Sequence, residues 1–187
     1  ENGCPIEDIE INENTMVIAI DTEWYLVDWD KHPTMNDECE IKDRSRFFEE
    51  LESLIKKNRD KTVIIAMHHP MFSYGSHGGQ FSFKQGMYPS GGKVPLPILG
   101  SAVNLLRKTS GATAEDLSNK RYNELKNRIL TLSQYSDKII FASGHEHTLQ
   151  YIEEYGKPQI VSGSGAKTGA TRLLNGSKFS TGRNGDA

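Results

Sequence analysis

The sequence has no long hydrophobic run, and its first residues carry none of the signs of a signal peptide. No apolar stretch approaches the roughly 20 residues that a helix needs to span a bilayer. Residues 1–10 are acidic, whereas a signal peptide begins with a basic segment. We therefore expect no membrane segment in this chain, and any targeting signal must have been removed or lie outside it.

An excess of positive charge is also missing. The formal net charge is -3 at pH 7, with 22 lysines and arginines against 25 aspartates and glutamates. The basic residues are scattered, whereas a nucleic-acid-binding protein gathers them into a patch or stripe. We therefore expect no nucleic acid partner, although this argument leaves a nucleotide open as a small substrate.

Cysteine is scarce, since Cys4 and Cys39 are the only two in the chain. They are either two unrelated free thiols or one disulfide that ties the first loop to the polar loop at residues 36–40. We favour the disulfide. It would indicate an oxidising compartment outside the cytoplasm.

What is present is ordinary for a soluble globular protein. The 187 residues are 36% hydrophobic and 25% charged, which is enough for one domain with a sizeable core. Residues 15–20 are typical of a buried strand that ends at Asp21, and residues 24–29 predict a second strand. The two would pair as a hairpin across residues 21–23.

Two helix–strand units follow. Asp43 is a good N-cap for a helix that leads into an apolar strand at residues 63–67. A second helix, capped by Ser118 or Asn119, leads into an apolar strand at residues 139–142. Alternating helices and strands of this kind predict an α/β fold.

The remaining segments show less periodicity. Residues 71–100 are rich in glycine, proline and aromatic side chains and predict a long functional loop, extended at residues 95–99 and followed by a short helix at 101–108. Two antiparallel strands are predicted next, and they lie at residues 149–155 and 158–161. We expect the polar stretch 163–187 to be a loop leading to a strand outside the chain.

Each strand that follows a helix ends in a pair of histidines, His68 with His69 and His145 with His147. Open α/β sheets place their ligands at the carboxyl ends of the strands, so two such ends indicate a shared site. Neutral imidazole is a common ligand of zinc-like metal ions. The sequence therefore predicts a metal site at this edge of the sheet.

Four stretches occur together and in order. They are residues 66–73 (Ala-Met-His-His-Pro-Met-Phe-Ser), the pair His77-Gly78, residues 144–151 (Gly-His-Glu-His-Thr-Leu-Gln-Tyr) and residues 161–165 (Val-Ser-Gly-Ser-Gly). Together they resemble the second half of a calcineurin-like metallophosphoesterase, most closely the tartrate-resistant, purple-acid-phosphatase-like branch. The resemblance implies part of an α/β/β/α sandwich with mixed sheets. Residues 1–187 would then be a single incomplete domain that lacks its N-terminal half.

The resemblance also implies roles for individual residues. His68 and His145 would bind one metal ion and His147 the other, the pair being divalent or trivalent ions such as Fe, Zn or Mn. His77 would contact the substrate or give a proton to the leaving group, unless it is a solvent-exposed loop histidine. His69 would shape the site or hydrogen-bond to a ligand, and would not itself bind metal.

Glu146 lies between two of these histidines and is expected to point away from the metal ions, orienting a neighbour. The family's other ligands come from Asp-x-His, Gly-Asp-x-x-Asp and Gly-Asn-His-Asp/Glu motifs, and none of these is present here. We therefore expect the missing ligands to come from an N-terminal half of the same protein, and the isolated chain to be inactive.

The function that the resemblance implies is hydrolysis of small phosphoesters, most simply phosphomonoesters, by a metal-activated hydroxide at a two-metal site. It also implies an extracytoplasmic location, in the periplasm or at the cell surface, because this branch resembles exported bacterial phosphatases. Two alternatives stay open. Three histidines alone can form a mononuclear zinc hydrolase site, and a chain without the carboxylates can be an inactive binding or assembly module.

Overall fold

The computed structural model describes residues 4–28, 34, 36–88, 94–110, 116–165, 169, 171 and 177–181. The strands are β1 (Ile6–Asn12), β2 (Thr15–Ile20), β3 (Thr62–Met67), β4 (Ile139–Ser143), β5 (Leu149–Glu154), β6 (Lys157–Ser162) and β7 (Ser177–Thr181). The helices are α1 (Thr22–Leu26), α2 (Arg44–Lys57), α3 (Phe83–Met87), α4 (Pro97–Ser110) and α5 (Lys120–Leu132), and a 3-10 turn spans Ser133–Tyr135. The predicted α/β fold class is confirmed.

The strands form one seven-stranded mixed sheet in the order β1-β2-β3-β4-β6-β5-β7. Its centre is parallel, because β2, β3, β4 and β6 run side by side in the same direction. The carboxyl ends of these four strands therefore lie at one edge of the sheet, where the predicted site falls.

Alternation along the central strands gives the sheet two different faces. Val63, Ile65 and Met67 of β3 point into the core and are buried, while the residues between them are half-buried. The core face is covered mainly by α1, α2 and α5. The largest fully buried side chains there are Tyr25, Tyr122, Phe47, Phe48, Phe141, Ile18, Leu51, Ile55, Ile65, Met71, Leu125 and Ile129.

The second face carries two apolar rows that cross the sheet. Val17, Ile64 and Ile140 are register partners in one row, and Ala19, Ala66, Ala142 and Ile160 are register partners in the other. All of these side chains are half-buried except Ile160, which is 44% exposed. In the described part of the chain, this face is less completely covered than the core face.

Two of the predicted helices begin at the residues that were expected to cap them. The Asp43 carboxylate accepts hydrogen bonds from the backbone N–H groups of Ser45 and Arg46, at 2.8 and 2.9 Å, and α2 follows. Asn119 caps α5 in the same way, its side-chain oxygen accepting from the N–H of Arg121 at 2.9 Å. Both helices are confirmed, as are the strands that follow them.

The predicted hairpin at residues 15–29 is wrong. Residues 22–26 form the one-turn helix α1, and the Asp21 carboxylate accepts from the Trp24 N–H at 3.0 Å as its N-cap. The antiparallel partner of β2 is β1, a strand that was not predicted from the sequence. A single helical turn can bury three consecutive residues, and Trp24, Tyr25 and Leu26 are all buried.

Three further differences lie outside the central strands. Residues 97–99 are helical, because α4 begins at Pro97, and proline is well suited to the first position of a helix. The long loop contains α3, which starts with a capping box between Ser82 and Gln85. The segment expected to lead to a strand outside the chain contains β7, which pairs with β5.

The β5–β6 hairpin is confirmed, with its turn one residue earlier than expected. Tyr155 and Gly156 form the two-residue connection, and their φ angles are 53° and 70°. Positive φ at both positions is what a type I′ turn requires, and this turn type matches the twist of paired strands.

A disulfide joins Cys4 to Cys39, with their Cα atoms 5.1 Å apart. It links the segment before β1 to the segment before α2, so the favoured interpretation of the two cysteines is confirmed. None of the helices in the described ranges combines the length and the apolar character needed to cross a membrane.

Candidate functional site

Histidines from two neighbouring strands meet at the carboxyl edge of the sheet. β3 and β4 pair in parallel, with Met67 opposite Ser143. The Gly144 N–H donates to the carbonyl oxygen of His68 at 3.1 Å, which extends the pairing by one step beyond the strands. The Nδ1 atom of His145 consequently lies 3.1 Å from the Nε2 atom of His68.

The backbone at His145 is unusual. Its φ angle is 63°, in the left-handed region that few residues other than glycine adopt. Two tight bonds follow in the same loop, from the Glu146 N–H to the Gly144 carbonyl and from the Thr148 N–H to the Glu146 carbonyl, both at 2.7 Å. This conformation turns the His145 ring towards His68 and His69, which follow β3.

His69 is a buried member of the same group, with 1% of its surface exposed and its ring 4.4 Å from that of His145. Its backbone N–H donates to Thr22 Oγ1 at 3.2 Å, and its ring Nδ1 lies 2.8 Å from the same oxygen. Burial, assisted by the neighbouring charges of His68 and His77, lowers the pKa of His69 to about 3. The imidazole is therefore neutral at ordinary pH, which is the form that binds metal ions.

Nitrogen atoms of His68, His69 and His145 all lie within 4.8 Å of one another. Three imidazole nitrogens suit zinc-like ions, so this donor set could hold one metal ion. The group includes no carboxylate among the residues that the structure describes. A glutamate lies next to it, however, since Glu23 Oε2 is 3.7 Å from His69 Nε2.

The structure brings together most of the histidines that the motifs indicated. His68 and His145 are adjacent as expected, and His69, expected only to support a ligand, lies within the group itself. His147 is half-buried and is not part of this group, and its carbonyl oxygen accepts from the Gly169 N–H at 2.5 Å. Its assignment as a ligand of a second ion stays a prediction.

His77 reaches the same place from the loop after β3. Its ring centroid is 4.2 Å from that of His145, and 20% of its side chain is exposed, so it is not an exposed loop histidine. Its Nδ1 atom lies 3.7 Å from Asp116 Oδ1. Asp116 is 1% exposed and is held by Arg107, whose Nη2 and Nε atoms donate to its two oxygens at 2.6 and 3.2 Å.

The carboxylate of Glu146 is not among the groups that converge with His68, His69 and His145. It is 2% exposed, and its Oε1 atom accepts one hydrogen bond from the Ser73 hydroxyl and one from the His77 backbone N–H, both at 2.7 Å. The carboxylate between two histidines therefore contacts the loop that carries a third.

Four residues of the site were missed from the sequence. Thr22 had a usable signal, because it follows the end of β2, whose carboxyl end is next to that of β3. Glu23 had the same signal, although its exposed side chain resembles any surface glutamate. Asp116 and Arg107 gave none, since they lie far from the histidines in sequence and in no recognisable spacing.

A sizeable cavity lies elsewhere in the described part of the chain. A groove of about 540 Å³ runs between α5 and the β5–β6 hairpin, and residues such as Phe72, Lys126, Leu130 and Tyr155 line it. It contains none of the histidines. The candidate site is therefore identified by its side-chain chemistry and not by the depth of its pocket.

No protein-family model matches this chain, and no curated protein matches it. Solved structures do resemble it. One is GAP50, the anchor in the inner membrane complex of Plasmodium, with a TM-score of 0.43 and 17% identity over 95% of this chain and 42% of that one. Another is a Staphylococcus aureus protein described as a candidate 5′-nucleotidase, in complex with alpha-ketoglutarate, with a TM-score of 0.39 and 15% identity over 85% of this chain and 24% of that one. The chain spans less than half the length of either protein, and likenesses this weak identify no function for it.

Proposed function

We propose that this chain carries part of the metal site of a phosphoester hydrolase, of the purple-acid-phosphatase-like kind that its motifs resemble. One observation carries the proposal. His68 Nε2 and His145 Nδ1 lie 3.1 Å apart although 77 residues separate them in sequence. Both belong to the motifs on which the resemblance rests, and both lie at the carboxyl ends of parallel strands, where α/β proteins bind ligands.

Each histidine has its own part in this proposal. His68 and His145 would hold one metal ion, and His147 a second one. The bound ions would supply a hydroxide nucleophile near neutral pH and would stabilise the charge on the phosphate oxygens. His77, next to His145 and half-buried, is suited to hold a proton for the leaving-group oxygen of a small phosphomonoester.

The proposal includes an incomplete domain. The apolar rows on the second face of the sheet, such as Val17, Ile64 and Ile140, support it because such rows in a sandwich pack against another sheet. In the intact protein we expect Ile160→Asp to lower the free energy of unfolding by about 2 kcal/mol or more. The control is Ile98→Asp, at an 87% exposed position on α4, with a change within about 0.5 kcal/mol. Equal effects of the two substitutions would contradict an incomplete domain.

The location is part of the same proposal. The Cys4–Cys39 disulfide supports a site of action outside the cytoplasm, in the periplasm or at the cell surface, where such bonds persist. A small phosphorylated substrate present in that compartment would then be the physiological one.

The test uses the intact protein that contains this chain. Metal content is measured by mass spectrometry, and hydrolysis is measured with a chromogenic phosphomonoester. We expect His145→Ala to lose bound metal and to lower kcat at least about 100-fold. His32→Ala is the control, because that histidine belongs to none of the motifs. An intact, metal-loaded protein that hydrolyses no phosphoester would refute the proposal.

A mononuclear metal hydrolase is the second candidate, and the compact group of His68, His69 and His145 favours it. Two single variants separate the candidates. With two ions, His147→Ala should reduce the stoichiometry from two ions to one, while His69→Ala should leave a two-ion site loaded. With one ion held by the compact group, His69→Ala should release it, and His147→Ala should have no effect on metal content.

A further inference from the structure

Glu146 is a charged side chain in a place where charge is rarely found. It is 2% exposed, and acidic residues are almost never buried to this extent unless they have partners. Its partners are not metal-site histidines. Both hydrogen bonds to its Oε1 atom come from the loop after β3, one from the Ser73 hydroxyl and one from the His77 backbone N–H, at 2.7 Å each.

The loop that Glu146 contacts is closed upon itself. Ser73 Oγ accepts from the Gly75 N–H at 3.0 Å, and the Gly75 carbonyl oxygen accepts from the N–H groups of Gly78 and Gln80 at 3.1 and 3.0 Å. His77 lies within this turn. The Glu146 carboxylate therefore joins the turn to the β4–β5 connection, which carries His145.

Gly75 gives a second, independent indication that the turn is shaped around this carboxylate. A Cβ atom added at Gly75 would lie 2.3 Å from Glu146 Oε2 and 2.7 Å from Oε1. These distances are far below van der Waals contact. Since two hydrogen bonds hold the buried carboxylate, it has little freedom to move aside, and only glycine allows so close an approach.

From these contacts we propose that Glu146 is a positioning residue for His77. It fixes the turn so that the His77 ring stays against His145, with their centroids 4.2 Å apart. The catalytic meaning of this role rests on the proposed function. The physical claim, that the carboxylate of Glu146 sets the conformation of residues 73–78, stands apart from it.

Replacing Glu146 by glutamine separates two possible roles of its carboxylate, as a hydrogen-bond acceptor and as a negative charge. Both hydrogen bonds reach the same oxygen, Oε1, so the amide oxygen of glutamine can accept both of them. Glu146→Gln should therefore preserve the turn, and Glu146→Ala should release it. If the negative charge were what matters, glutamine would be as damaging as alanine.

The experiment uses the intact, metal-loaded protein with Glu146→Ala, Glu146→Gln and, in case the alanine variant fails to fold, Ser73→Ala. Hydrogen exchange followed by mass spectrometry reports on the peptide that covers residues 73–80. We expect exchange there to become at least about 10-fold faster in Glu146→Ala, to stay within about 3-fold of wild type in Glu146→Gln, and to be intermediate in Ser73→Ala. Peptides from β3 should be unchanged.

Kinetics with a chromogenic phosphomonoester give the second readout. We expect Glu146→Ala to lower kcat as far as His77→Ala does, by about 100-fold, with metal content and KM nearly unchanged. In a His77→Ala background it should have no additional effect. Glu154→Ala is the matched control, because its carboxylate also accepts a hydrogen bond from this loop, through the Tyr74 hydroxyl, and its loss should leave kcat unchanged.

Unchanged exchange of residues 73–80 in Glu146→Ala would overturn the inference, and so would equal damage from Glu146→Gln and Glu146→Ala. Loss of metal in Glu146→Ala would also overturn it, since Glu146 would then act on the ligands. A protein that hydrolyses no phosphoester, but whose residues 73–80 exchange faster in Glu146→Ala, would refute the proposed function and support the positional role.

Discussion

The Oγ1 atom of Thr22 makes two contacts with His69. It accepts a hydrogen bond from the His69 backbone N–H at 3.2 Å and lies 2.8 Å from the ring Nδ1. Thr22→Val keeps the size of the side chain and removes that oxygen, so two buried polar groups lose a partner. We expect the free energy of unfolding, measured with urea, to fall by about 1–3 kcal/mol. Thr131→Val, at an exposed helical position, is the matched control, with a change within about 0.5 kcal/mol. A Thr22→Val variant as stable as wild type would contradict this.

The side chain of Tyr25 should make the free energy of unfolding depend on pH in the alkaline range. Burial, followed by the neighbouring carboxylate of Glu124, raises the pKa of Tyr25 to about 12. The folded protein therefore holds this proton more tightly than the unfolded chain, whose tyrosine titrates near pH 10. The contribution of this proton to the free energy of unfolding is fully present below pH 10. It is lost as the pH rises towards 12, by up to about 1.4 kcal/mol per pH unit. Urea unfolding at pH 9.5 and 11 should show a smaller loss in Tyr25→Phe than in wild type, and identical losses would contradict the assignment.

Among the elements, α4 and α5 show opposite relations to the core. Leu125 of α5 is fully buried, whereas Leu105 of α4 is 62% exposed and Ile98 is 87% exposed. Leu125→Ala should therefore lower the free energy of unfolding by about 2–5 kcal/mol, because it removes apolar contacts and leaves a cavity. Leu105→Ala, the same change in a helix of similar length, should alter it by less than about 0.5 kcal/mol. A large loss from Leu105→Ala would show that its exposed face is covered in the protein.

The same elements show what local sequence patterns can predict. α2 and α5 were predictable because a good N-cap precedes a long apolar stripe, and β3 and β4 because each is a short apolar run before a histidine or glycine. α1 was not, since its five residues are too few to establish a helical period. The pairing of β1 with β2 could not be predicted either. β1 lies at the edge of the sheet and is mostly exposed, so its sequence lacks the apolar run of a buried strand.

At the scale of the whole molecule, the Cys4–Cys39 disulfide closes a loop of 35 residues in sequence separation. A cross-link restricts the unfolded chain, by about 3–4 kcal/mol for a loop of this length in the chain-entropy model. We expect the Cys4→Ser, Cys39→Ser double variant to unfold in urea with a free energy lower by this amount. Reductant should destabilise the wild type similarly and leave the double variant unchanged. Insensitivity of the wild type to reductant would contradict a structural disulfide.

Some residues of the candidate site could be predicted from local sequence, and others depend on long-range packing. The histidines could be found from sequence because each pair follows a strand, and strand ends in a parallel sheet meet. The Asp116–Arg107 pair could not, because its place beside His77 depends on how α4 and the start of α5 pack onto the loop. The hydrogen-bond partners of Glu146, Ser73 and His77, also required the three-dimensional structure.

The left-handed backbone at position 145 directs a histidine into the candidate site but lowers the stability of the folded chain. Glycine usually destabilises a folded chain relative to alanine, yet at a φ of 63° the order should reverse, because alanine keeps a strain of about 1–2 kcal/mol that glycine avoids. His145→Gly should accordingly melt at a higher temperature than His145→Ala, although neither has an imidazole. The histidine at this position therefore has a cost in folding free energy that glycine would avoid. If the alanine variant melted higher, the left-handed conformation would not exist in solution.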